Sequence, residues 1–188
     1  MTRVNSKPRF ICDFHVPPID ILRSNTASTI MVILHGINKR QEGALGLSFP
    51  EYSDESLGNL IRVVSYDKND LTNFKRHPLI QLLKKNQSVD IPPIRESTEQ
   101  QSELRFIRDR RNDRRIIGHW TNLGLSEKEA EEKISVLDKI TDPLHYIWIR
   151  SKSGHLFKIY IRKESSPQRH DGSFSSYGLS SAGATVPG

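Results

Sequence analysis

The chain has 188 residues, a single cysteine and a formal charge of +6. That length allows one domain or two small ones with a real core, and one cysteine excludes both an internal disulfide and a cysteine-built zinc site. A sequence pI near 9.5 points to a polyanionic partner, nucleic acid before membrane. The longest apolar run, Ile30–Leu34, is far too short to span a bilayer, and no signal-peptide pattern opens the chain. With 27% charged and 35% hydrophobic residues, a large solvated or ligand-facing surface is expected. A reducing, cytoplasmic setting fits the cysteine count, with Cys12 itself a small apolar core residue.

In chain order, residues 9–16 alternate Phe10, Cys12, Phe14 and Val16 against Arg9, Asp13 and His15. This pattern predicts a half-buried strand that Pro17-Pro18 ends. From Ser24 or Asn25, both good caps, Ala27, Ile30, Met31, Ile33 and Leu34 carry helical spacing to His35, with Gly36 as the stop. Residues 44–49 form a short strand closed by Pro50, and the β-branched stretch 60–66 forms another. A helix capped by Asn69 or Asp70 follows, its stripe built from Leu71, Phe74, Leu79, Leu82 and Leu83. Pro78 starts a second helical segment there. Residues 89–91 are expected to be a last strand before Pro92-Pro93. Strand, helix, strand, strand, helix, strand is the ferredoxin-like order, an antiparallel sheet with two helices.

Residues 92–101, PPIRESTEQQ, read as a linker, which divides the chain into 1–94 and 95–188. The second unit opens with Arg105–Arg115, where six arginines stand against Asp109 and Asp113, a surplus of four positive charges. Helical spacing would line up Arg105, Arg108, Arg111 and Arg115 opposite Phe106 and Ile117. An arginine-rich helix is therefore expected, its forks suited to bidentate phosphate contacts. The bland alternative is a solvated face of ion pairs through Asp109 and Asp113. Another helix opens at Ser126, with Ile134, Leu137 and Ile140 inward. Residues 146–150 and 156–163 alternate around a Ser151–Gly154 turn and predict a β-hairpin. The fold class is thus α+β: a ferredoxin-like unit followed by a smaller one bearing the arginine helix and the hairpin. Gly172–Ser181 is rich in small residues around Phe174 and Tyr177.

Several blocks, in this order, carry a family likeness: His35-Gly36, Gly46-Leu47-Ser48-Phe49-Pro50, the arginine stretch, Ile149–Ser153, and Tyr177-Gly178-Leu179-Ser180. Together they resemble the type I-F CRISPR repeat endoribonucleases, the Csy-four branch of the CRISPR endoribonuclease family, from Phe10 to Pro187. The resemblance implies metal-free cutting of CRISPR precursor RNA at the 3′ base of a repeat hairpin by its own 2′-hydroxyl. It implies no cofactor. Its partners are the hairpin or guide RNA and the other subunits of a type I-F surveillance complex.

The same resemblance assigns roles by position. His35, fourteen residues ahead of Phe49, matches the general base; Ser151 matches the serine that holds the ribose, with Ser153 as its substitute. Tyr177 matches the tyrosine that supports the histidine or the scissile phosphate, and Phe157 the aromatic that stacks on the stem's terminal base. Arg105, Arg108, Arg110, Arg111, Arg114 and Arg115 would grip the stem. The family reads bases with an arginine and a glutamine two residues apart, whereas here Ile107 follows Arg105 at that spacing. Gln100 or Gln101 takes the glutamine role only in a shifted register. The alternative to an enzyme is a non-catalytic nucleic-acid module, either an inactive hairpin-capping relative or a helix-turn-helix DNA binder over 105–138.

Overall fold

A computed structural model describes residues 7–98, 102–138, 144–151 and 153–188, and it is a mixed α+β fold with two four-stranded antiparallel sheets. The first sheet collects β1 (Phe10–His15), β2 (Leu45–Ser48), β3 (Leu60–Ser65) and β4 (Arg95–Glu96) in the order β2-β3-β1-β4. Helix α1 (Asp20–Asn38) lies between β1 and β2 in sequence; α2 (Lys68–Lys75) and α3 (Pro78–Lys85) lie between β3 and β4. The second sheet holds β5 (Glu103–Asp109), β6 (His145–Arg150), β7 (Leu156–Ser166) and β8 (Val186–Pro187) in the order β6-β7-β5-β8. Between β5 and β6 come α4 (Ile117–Asn122) and α5 (Glu127–Asp138).

Several expectations change here. The strand β1 is buried on both faces, because Ile11 and Asp13 are covered as well as Cys12 and Phe14. Arg62, paired with Asp13, also donates to the Gly188 carbonyl at 2.8 Å, so the far end of the chain lies over that second face. Helix α1 starts at Asp20, before Ser24, and runs through Gly36 to Asn38. Gly36 has open space where a Cβ would stand and behaves as an ordinary helical residue. The cap of α2 is Asp67, whose carboxylate accepts from the Asn69 amide at 2.8 Å, and His77 caps α3 at Pro78. Residues 89–91 contribute only a bridge from Asp90 to His15; the fourth strand is Arg95–Glu96, within the expected linker.

The largest correction concerns the arginines. No helix forms over 105–115. Glu103–Asp109 is a strand paired along its length with β7, and Asp113–Arg115 is one 3-10 turn ahead of the short α4. Phe106 decides the matter: it is fully buried and packs edge-on to Phe49 at 5.4 Å between ring centres. A strand sends Phe106 inward and the adjoining Arg105 and Ile107 to the other face. Ile117, expected on an apolar back, is 40% exposed. Ser126 does open α5, by a reciprocal capping box with Glu129, whereas Ile140 lies outside the described residues. The hairpin β6–β7 forms as expected, Ile149 opposite Phe157.

Candidate nucleic-acid site

Helix α1 touches two of the elements that carry candidate residues. Near the helix start, Asp20, Arg23 and Ala27 share a groove with His145 and Ile147 of β6.

The other is the chain near its C-terminus, which reaches the end of the helix at His35, and the small residues of its motif explain how it is held. The Leu47 amide donates to the Gly178 carbonyl at 2.7 Å, fastening it to β2. The Ser180 amide donates to the Phe106 carbonyl at 2.7 Å, fastening it to β5. Gly178 has φ +80°, and a Cβ there would meet Leu34 Cδ1 at 2.9 Å. Gly46 lies under the Phe174 ring, where a Cβ would stand 2.5 Å from its Cζ. Both glycines are thus close-approach positions, so the Gly46–Pro50 and Tyr177–Ser180 blocks face one another as packing surfaces.

Their product is a ring stack. The rings of His35 and Tyr177 lie 4.3 Å apart between centres and 18° from parallel. Burial pushes the Tyr177 phenol up from its ordinary value, opposed by the Arg108 guanidinium nearby. Tyr177 is therefore a neutral donor across the physiological range. Asn38, which sequence reasoning passed over, fixes the same corner: its amide donates to the carbonyls of Leu45 and Ser175 and its oxygen accepts from the Leu45 amide. Its only sequence signal is position, one turn beyond His35. Lys39 and Arg40, also passed over, are exposed just beyond it.

Ser151 begins the hairpin turn. Its amide donates to the His155 carbonyl at 2.8 Å, and its hydroxyl lies 2.9 Å from that of Ser153. Phe157 is half-buried on the inward face of β7, against the core. Gln101, like Glu99 and Gln100, lies outside the described residues.

The six arginines are spread over a strand, a turn and a 3-10 turn rather than along one helix face. Arg105 pairs with Glu164 at 3.2 Å, Arg108 with Asp113 at 3.0 Å, Arg111 with Asp109 at 2.9 Å and Arg115 with Asp138 at 3.3 Å. Arg110 and Arg114 are exposed, and among the described residues neither meets a carboxylate. The structure therefore joins His35 with Tyr177, sets Arg108 beside them, and leaves Arg110 and Arg114 facing water. Among the described residues, no three His, Cys, Asp or Glu side chains are grouped to hold a metal ion, and no helix is long and apolar enough to cross a membrane.

No curated protein matches this chain. A family profile described as CRISPR-associated protein (Cas_Csy4) matches residues 13–188. The chain belongs to that family, the CRISPR-associated endoribonucleases that process repeat RNA.

Proposed function

We propose, with that membership as premise, that the chain is a metal-independent endoribonuclease cutting CRISPR precursor RNA at the 3′ base of the repeat hairpin. It then stays on the guide RNA as a subunit of a type I-F surveillance complex in the cytoplasm. The order β2-β3-β1-β4 with helices in both crossovers supports a ferredoxin-like arrangement for residues 1–94 completed by the strand Arg95–Glu96 just past them. Residues 95–188 form the RNA-holding unit in the same reading.

The observation that carries the proposal is the stack of His35 on Tyr177 beside Arg108. The imidazole of His35 accepts the proton of the 2′-hydroxyl. The 2′-oxygen bonds to phosphorus as the bond to the 5′-oxygen breaks, and that oxygen leaves with a proton from solvent. The products are a 2′,3′-cyclic phosphate and a 5′-hydroxyl. Tyr177 donates to a non-bridging phosphate oxygen and fixes the plane of the His35 ring; Arg108 meets the charge that develops there. Ser151 holds the ribose through its hydroxyl, with Ser153 as its hydrogen-bonded neighbour, since neither has a base beside it that would make it a nucleophile. Phe157 offers a ring edge to the stem's last base. Arg105, Arg108, Arg110, Arg111, Arg114 and Arg115 hold phosphates, with Gln101 in the linker.

The helix-turn-helix alternative lacks a recognition element. Helix α5 exposes Glu127, Glu129, Glu131 and Glu132, which a DNA backbone repels. The test is incubation of labelled repeat-hairpin RNA with protein in EDTA. Cutting should fall about 10²–10⁴-fold in His35→Ala while hairpin affinity holds. Wild-type protein that binds the hairpin and never cuts it would leave only the inactive-relative reading.

A further inference from the structure

The second sheet has two faces, and only one of them packs into the core. Ile147, Ile149, Ile159 and Ile161 point inward. On the opposite face, β6 presents Tyr146, Trp148 and Arg150 while β7 presents Lys158, Tyr160 and Arg162. Tyr146 and Trp148 are 41% and 39% exposed, although strand positions of this size normally find cover. The rings stand close: Tyr146 is 5.9 Å from Trp148 and 5.5 Å from Tyr160 between centres. Lys158 Nζ lies over both neighbours, 4.0 Å from the centre of Tyr146 and 4.8 Å from that of Trp148.

The charge on this face says what covers it. Arg105, Arg150, Lys158 and Arg162 stand against Asp109 and Glu164, and both carboxylates are already taken, Glu164 by Arg105 and Arg162 and Asp109 by Arg162 and Arg111. Among the described residues, Arg150 and Lys158 meet no carboxylate. An apolar protein partner would strand those two cations. An acidic partner would satisfy them but leave three rings unused. A polymer that alternates planar rings with phosphates uses both, and stacking on a ring demands no particular base.

We propose that this outer face, Tyr146, Trp148 and Tyr160 with Arg150 and Lys158, binds unpaired RNA. Bases stack on the rings, and the two cations take phosphates. The proposal rests on the RNA reading above and extends it to the strand beyond the stem. Arg150 adjoins Ser151, and Trp148 is three strand residues away, roughly 10 Å, the reach of one or two nucleotides. A strand leaving the cut site therefore runs straight onto the face. In the absence of RNA, Lys158 covers the ring faces itself. An arriving phosphate draws the ammonium outward and opens them, because an exposed cation–π contact is weaker than base stacking.

The chain has two tryptophans, so Trp120→Phe leaves Trp148 as the sole indole reporter. A short oligouridylate should quench its fluorescence. In otherwise wild-type protein, Trp148→Ala with Tyr146→Ala should weaken oligouridylate binding roughly 5- to 30-fold and a stem-only hairpin by no more than about twofold. A hairpin carrying an unpaired 3′ tail, kept intact by His35→Ala, should lose the tail's contribution in the same variant. Trp148→Thr, which keeps strand propensity, guards against a folding defect and should give the same loss. Unchanged oligouridylate affinity in these variants overturns the platform. So does hairpin binding by wild type with no affinity for oligouridylate, and the RNA-hairpin reading then stands. Oligouridylate binding without hairpin binding does the reverse.

Discussion

Under the first sheet, Arg9 and Arg62 are 3% and 4% exposed, and each is held by a carboxylate: Arg9 by Glu103, Arg62 by Asp13. Beyond the second sheet's strand β5, Arg110 and Arg114 stand in water, and Arg105 and Arg108 make partly exposed pairs with Glu164 and Asp113, whereas Arg111 and its partner Asp109 are largely covered. The same side chain has two uses, separated by solvent. A desolvated guanidinium must keep its partner, because losing it leaves an uncompensated buried charge. A partly exposed pair is worth only about 0–1 kcal/mol, so a phosphate can replace the carboxylate at little cost. The buried arginines join the two sheets; the exposed ones are available to RNA.

Breaking the buried pair should give the largest effect. Asp13→Ala leaves Arg62 without its carboxylate and should lower stability by about 3–5 kcal/mol in urea denaturation, with the exposed Arg95 also losing its contact. A loss below about 1 kcal/mol would put Arg62 in the exposed class and erase the contrast. Acid adds a second readout. Burial alone would raise the Asp13 carboxyl, but hydrogen bonds and charge from Arg62, then Arg95, outweigh it and hold the group below its ordinary value. A depressed carboxyl contributes stability above its unfolded value, and that stability disappears as pH falls through the folded one. Wild type should therefore lose more on acidification than Asp13→Asn.

A middle-sized effect tests how the ring stack is held. Gly178→Ala puts a methyl 2.9 Å from Leu34 Cδ1 at a left-handed backbone position. The cost should be about 1–2 kcal/mol, read in thermal melts. The bond from Leu47 to Gly178 would be strained, Tyr177 would shift from His35, and cutting should fall while hairpin affinity stays. Unchanged cutting would mean that the stack has no part in the reaction.

Much of this arrangement is legible in the sequence, and the parts that are not share a cause. Alternation identifies β1 and the hairpin, and β-branched residues identify β3, because each strand's pattern is local. The arginine stretch reads as a helix because Phe106 and Ile107 are both apolar and blur the two-residue period, while arginine itself favours helix. What makes it a strand is its pairing with β7, Arg108 opposite Ile161, more than fifty residues away. The two-residue strand Arg95–Glu96 shows only exposed charged side chains and has no apolar signal to read. His35 and Tyr177 are indicated by motif, but their contact depends on Asn38, Gly46 and Gly178, three packing positions on separate segments. Small residues in a sequence do not announce what lies against them.

The smallest effect is also the sharpest test of the exposed class. If Arg110 and Arg114 each neutralise a phosphate, replacing both with alanine should make the slope of log affinity for the hairpin against log salt less steep by roughly 2. Affinity at one fixed salt would change modestly, so the slope is the quantity to measure. Arg76, exposed between α2 and α3 on the other side of the contrast, is the control, and Arg76→Ala should leave the slope where it was. An equal change from Arg76→Ala would mean that the RNA responds to net charge alone. Exposure alone would then not single out the arginines that hold it. Arg108→Ala belongs between the two. Its Asp113 partner must be displaced before a phosphate is gained, so its share of the slope should be smaller than that of Arg110 or Arg114, and the gap measures what the surface pair was worth.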